Sequence, residues 1–162
     1  MKLLHVLLAS SLLLAIDAGR PLLAQSSAPV LSIAPEANAA VQVVDGFMAK
    51  LSSGDLAFAE KFLEPGVVVI SNGIIYGSRS DYLNGPAKTD ALYLQKSRRQ
   101  LLRRQARAGA SFAWVISEKA LSPQAPGKSA TQLISETMLL VKTPAGWKIT
   151  HIHWSSHLPA GS

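Results

Sequence analysis

The stretch Gly146-Trp147-Lys148-Ile149-Thr150-His151-Ile152-His153-Trp154-Ser155-Ser156 constrains the fold of this chain more than any other. It reads as a β-strand near the C-terminus. Ser135 to Lys142 reads as a second strand, and Thr143-Pro144-Ala145-Gly146 joins the two as a hairpin. The proline and glycine suit a type I turn with glycine in the left-handed position. That turn pairs Thr143 with Trp147, Leu139 with His151 and Thr137 with His153. It is expected to place Glu136 opposite Ile152, on the face that carries Met138, Thr150 and Trp154. A four-residue loop would instead pair Lys142 with Trp147 and bring Glu136 opposite His153. One residue of register therefore decides whether a carboxylate–imidazole pair exists.

His151 and His153 are two apart on a strand and project from one face. They could act as a general base or a metal pair, but a metal needs a third ligand that the sequence does not supply. The other reading has them hydrogen-bonded within the sheet or at a subunit interface, and no metal is expected. Glu136 also has two readings. In a cavity among Met138, Ile152 and Trp154, desolvation would raise its pKa and let it act as acid or base near neutrality. Otherwise it pairs with a nearby lysine or arginine. Trp114 and Tyr76 are placed on neighbouring strands, where they would line the same pocket or simply fill the core.

The start of the chain has a different character. Lys2 precedes a nearly continuous apolar run from Leu3 to Ile16, and Leu22-Leu23-Ala24 offers a small residue before Gln25. Residues 1–24 read as a cleaved secretory signal, too short and interrupted to span a bilayer. The product is expected to be exported, periplasmic or secreted, with no membrane anchor left. The chain has no cysteine, which excludes acylation, disulfides, thiol catalysis and cysteine metal sites. Gln25 to Pro35, rich in Ser, Ala and Pro, reads as a flexible tether, leaving 36–158 as a single domain.

Val41, Val44, Met48 and Leu51 recur at helical spacing over residues 36 to 53. Gly54 and Asp55 then serve as C-terminal cap and N-cap between this helix and a second one running to about Leu63, which Pro65-Gly66 ends. Val67 to Ser71, Asn72-Gly73 and Ile74 to Tyr76 spell a tight β-hairpin. Ser78 can cap a short helix ending at Asn84-Gly85-Pro86, and Lys88 to Lys96 is expected to be helical. The net charge of +6 is concentrated in Arg98, Arg99, Arg103, Arg104 and Arg107. A basic helix for an anionic surface is one reading. The favoured one is a strand with a solvated face, because no aromatics interleave as nucleic-acid binders require. No nucleic-acid partner is expected. Gly109 to Ser111 turns this strand into Phe112 to Ser117, and Ser122 to Lys128 is a loop. Helices first, then mostly antiparallel strands, make an α+β domain.

At this point the chain resembles the NTF2-like superfamily, and within it the SnoaL-like and DUF4440 group. The resemblance rests on Ser53-Gly54-Asp55, Ile70 to Gly73, Ala113-Trp114-Val115, Glu136-Thr137, and Gly146 to Ile149 running into His151-Ile152-His153. The ending Trp147, Ile149, His151, His153, Ser155 is also similar to the association domain of calcium/calmodulin-dependent kinase II. The resemblance implies a cone, with a strongly bent sheet wrapped on helices and a cavity at its wide end. Relatives include isomerases, dehydratases, cyclases and assembly modules. The tyrosine and two carboxyl groups of the catalytic isomerases do not transfer, since Asp45 and Asp55 sit at helix positions that look exposed or capping. Where the kinase domain has pocket arginines this chain has Met138 and Trp154, which argues against a small-anion site.

The leading expectation is an exported small-molecule-binding protein that takes an apolar or aromatic ligand, without a cofactor. Trp154, Met138, Ile152, Trp114, Tyr76 and His151 are its candidate ligand contacts, and a homodimer through the sheet is its expected assembly. The alternatives are an isomerase, dehydratase or cyclase using Glu136 or His153 as general acid–base, and a pure oligomerisation module.

Overall fold

The computed structural model of the chain describes residues 28–124 and 131–159. The expected signal segment, most of the loop after Ser122 and part of the expected tether lie outside them. We number the elements β1 (Val30–Ile33), α1 (Asn38–Ser53), α2 (Leu56–Ala59), β2 (Leu63–Ser71), β3 (Ile74–Tyr76), α3 (Arg79–Leu83), α4 (Pro86–Gln95), β4 (Ser97–Ala108), β5 (Phe112–Pro123), β6 (Gln132–Thr143) and β7 (Gly146–His157). Single 3₁₀ turns precede α1 and follow α2. The seven strands form one mixed sheet in the order β1-β4-β5-β6-β7-β2-β3. β1 pairs parallel with β4 and β2 parallel with β7, and the other four pairings are antiparallel. This is the expected α+β fold. Val30 to Ile33, expected in the tether, instead extends the sheet beside Arg103 to Ala106. Among the described residues no helix is long and apolar enough to cross a membrane.

The helices lie on one face of the sheet because only that face is apolar throughout. Ala40, Val41, Val44, Phe47 and Leu51 form the buried stripe of α1, and Val115, Met138, Leu140, Ile149, Ile152 and Val69 meet it from the strands. Each large side chain buried completely in this layer contributes about 1.5–3 kcal/mol. Gly54 ends α1 with φ 79°, and the Asp55 carboxylate accepts from the Phe58 amide, so the expected caps form. Gly46 has a different role. A Cβ there would lie 2.7 Å from the Phe62 ring, so the helix interior stays bare to admit it.

Three strands each carry extra residues. Pro65 and Gly66, expected to end a helix, belong instead to an irregular stretch of β2 between its pairings at Leu63 and Val68. In β4 the ladder skips Leu102, from Leu101–Lys119 to Arg103–Glu118. In β7 it skips Thr150, from Leu140–Ile149 to Leu139–His151. Such bulges twist a strand and exchange which residues face which side.

The β7 bulge resolves the two registers, since each holds for half of the hairpin. Next to the turn Lys142 pairs with Trp147, and Pro144-Ala145 is a two-residue loop with Gly146 at φ 106°. Beyond Thr150, Leu139 pairs with His151 and Thr137 with His153. Glu136 therefore stands opposite Trp154, and Met138 opposite Ile152, correcting the expected Glu136–Ile152 pair.

Arg104 also departs from its expected place on a solvated strand. It is 6 % exposed on the inner face and donates to Ser117 Oγ at 3.0 Å and to Asp45 Oδ1 at 2.7 Å. Asp45 is exposed, one of the two places expected for it, and is also the α1 end of this tie between helix and sheet. Arg103 and Arg107, on the opposite face, are exposed as expected.

Candidate functional site

A cavity of about 140 Å³ opens between α1, α4 and the inner face of β4 to β7. Met48 and Leu51 come from α1, Leu94 from α4, and Leu121 and Ile134 from the strands, so most of the wall is apolar. The β2–β3 turn closes one side. Asn72 has φ 47° and Gly73 φ 86°, as a tight hairpin requires, and the Asn72 side chain accepts from both the amide and the hydroxyl of Ser156. This clasp fixes the far end of β7, where Trp154 points into the cavity.

The floor is a buried polar cluster. Glu136 is 1 % exposed, and both of its carboxylate oxygens accept from Lys119 Nζ at 2.8 Å. Trp154 Nε1 donates to the same carboxylate at 2.9 Å. Of the two readings of Glu136, the structure shows the paired one. Its partner lies on β5, where alternation puts Lys119 on the same side as Val115 and Ser117. Removing one member of such a buried pair costs about 3–5 kcal/mol, because the other is left charged in apolar surroundings.

Asp90 on α4 is the second acid in the wall, and the sequence reading did not find it. The segment has little amphipathic pattern, although Ala87, Ala91 and Leu94 do mark its buried side. Tyr82 donates to Asp90 Oδ2 at 2.9 Å. Burial raises the Asp90 carboxyl above its ordinary value, against the Tyr82 hydrogen bond, which lowers it. Burial first, then the Asp90 charge, pushes the Tyr82 phenol far above its own, so it stays a donor. A second depression, lined by Ser71, Tyr76, Pro86, Thr89 and Asp90, adjoins the cavity, and Ser71 and Asp90 belong to both. The rings of Tyr76, Tyr82 and Trp154 follow one another at 6.2 and 6.1 Å along this boundary.

The other expected contacts are distributed differently. Met138 and Ile152 are fully buried in the core beneath the cavity and are not in its lining. Tyr76 faces the second depression. Trp114 lies on the outer face of the sheet beside Arg107 and opposite Leu139. His151 and His153 share that outer face, with ring centres 6.4 Å apart and His153 exposed. The structure thus brings Glu136 and Trp154 together and separates both from the histidines. Among the described residues no three His, Cys, Asp or Glu side chains are grouped to hold a metal ion.

A family model for the SnoaL-like domain matches residues 40–160. The chain belongs to the SnoaL-like domain family. Among solved structures, this SnoaL-like domain is similar to a proposed ketosteroid isomerase from Shewanella frigidimarina. The two share 30% identity over 76% of this chain and 99% of that one, with a TM-score of 0.70. A proposed dehydratase of the NTF2-like family from Streptomyces avermitilis shares 18% identity over 76% and 96%, TM-score 0.59. The CaMKII hub of S. rosetta shares 20% identity over 76% and 98%, TM-score 0.61. The last two likenesses concern the fold alone. Among curated proteins none matches.

The Asp90 environment of this SnoaL-like domain has a measurable consequence. A carboxyl whose folded pKa is raised makes the folded state bind protons more tightly than the unfolded chain. The resulting destabilisation is full above the folded value and absent below the unfolded one. Asp90→Asn keeps an acceptor for Tyr82 and removes the charge. It should melt above wild type at pH 7, with the gap closing as pH falls from the raised value to the ordinary 3.8. Thermal melts of both proteins between pH 3 and 8 check this, and a gap that does not change with pH contradicts it.

Proposed function

We propose that this SnoaL-like domain is an exported protein that binds a small molecule with an apolar or aromatic body in the cavity above Glu136, Lys119 and Trp154. The observation that carries this reading is that the Glu136 carboxylate in the floor is engaged by Lys119 and Trp154 while most of the wall is apolar. An occupant therefore gains by covering Leu51, Leu94, Leu121, Ile134 and the Trp154 ring, at about 25 cal/mol per Å² removed from water. The neutral fluorescent probe 1-aminoanthracene should bind saturably, one per chain, and Trp154→Ala should weaken it about tenfold by removing both wall and floor. Unsaturable binding, or binding unchanged in that variant, contradicts the reading.

The same reading has two chains pair through the outer face of the sheet. Phe112 and Ile116 are 43 % and 40 % exposed there, beside Trp114 and the two histidines. Sedimentation velocity reads this directly, and a monomer at micromolar concentration counts against it.

A second reading, proton-transfer catalysis, is favoured by one observation: Asp90, with its raised pKa and its Tyr82 donor, faces the cavity. The base would then be Asp90 rather than Glu136, which Lys119 holds, or His153, which faces away. The similarity to a proposed ketosteroid isomerase supports testing a β,γ-unsaturated ketosteroid. Turnover that Asp90→Asn lowers by about 10²–10⁴-fold is expected if Asp90 is the base. No turnover above buffer removes this reading and leaves the binding reading standing.

A further inference from the structure

The β4 bulge determines which cations reach the cavity. On a regular strand Arg99 and Arg104, five residues apart, would face opposite sides. The extra residue at Leu102 brings both to the inner face. Arg104 is buried there and used by Asp45 and Ser117. Arg99 lines the cavity, remains exposed, and takes part in none of the ion pairs formed among the described residues.

Its nearest cation on the same face is Lys119. Arg99 pairs with Leu121 and Leu101 with Lys119, so the two cationic residues are diagonal neighbours on adjacent strands, about 7–8 Å apart. Of the three donors of the Lys119 ammonium, two are given to Glu136, which leaves one N–H for a ligand.

The charges facing this space are Arg99, Lys119, Glu136 and Asp90. Lys119 and Glu136 cancel. Asp90, on α4, is engaged by the Tyr82 hydroxyl. The guanidinium of Arg99 is thus a cation at the mouth of an apolar chamber that forms no ion pair among the described residues.

Resting on the binding function argued above, we propose that the occupant is a carboxylic acid with an apolar body, its carboxylate received by the Arg99 guanidinium and the remaining Lys119 N–H. The planar fork of arginine matches a carboxylate, and the walls of Leu51, Leu94, Leu121 and Trp154 receive the apolar part. This also refines the sequence expectation against small anions. No cation stands at Met138 or Trp154, yet two reach the cavity from β4 and β5.

Phenylacetate and phenylacetamide differ only in that charge. Isothermal titration calorimetry should show phenylacetate binding about tenfold tighter to the wild-type chain. Arg99→Gln, at an exposed position, should weaken phenylacetate several-fold more than phenylacetamide, so that the preference shrinks to what the Lys119 N–H alone provides. Equal affinity of the two compounds for wild type, a preference undiminished in Arg99→Gln, or no binding of either overturns the proposal. The neutral probe 1-aminoanthracene separates the two failures. If it binds while phenylacetate shows no preference, the cavity function stands and only the carboxylate assignment falls.

Discussion

A single extra residue, Thr150, determines which way the last strand faces. Trp147 and Ile149 on one side of it and Ile152 and Trp154 on the other all point inward, although an unbroken alternation could satisfy only one of these pairs. The turn requires one register and the core another, and the bulge accommodates both. Without it, Trp154 and Ile152 would turn to the outer face and His151 and His153 would turn towards the helices. The cavity would then have a different floor. Its composition is thus a consequence of backbone geometry as much as of side-chain choice.

That floor sets two opposing effects against each other. Burying a carboxylate and an ammonium costs several kcal/mol per ion, and only close, well-directed hydrogen bonds offset it. Glu136 receives three such bonds from Lys119 and Trp154, which makes it a rigid structural centre rather than a free base. Asp90 receives one from Tyr82 and faces open space, so burial dominates there. The two acids are thereby differentiated by their partners, one held and one available.

Much of the fold was legible because its signals are local. The Gly54–Asp55 caps, the Asn72-Gly73 turn, the Ser78 cap and the α1 stripe each involve residues close in sequence, and each formed as expected. The bulge at Leu102 was not legible, because it arises from a partner strand that no local pattern specifies, while the one at Thr150 left a trace in the two consecutive polar residues Thr150 and His151 that break the alternation. From the Leu102 bulge follows the inward turn of both Arg99 and Arg104, whereas the Glu136–Trp154 pair follows from counting along the ladder that pairs Thr137 with His153. The site was legible in part. Glu136 and Trp154 were identified from face alternation, and the ion pair had been one of two readings. Asp90 was missed because α4 has only a weak apolar stripe, and Trp114 was misplaced because an aromatic on a two-sided sheet does not declare its side. β1 escaped notice because four residues among Ser, Ala and Pro carry too little pattern.

The Asn72–Ser156 clasp and the parallel pairing of β2 with β7 join parts of the chain more than eighty positions apart. The cavity wall runs from Met48 to Ser156, nearly the whole of the described domain. Contacts of such long range close late, since the intervening loop entropy must be overcome first. A chain still emerging from a ribosome or a membrane pore therefore has no cavity until β7 has appeared and joined β2 and β6. The domain can acquire an occupant only after its whole length is free, on whichever side of a membrane that happens.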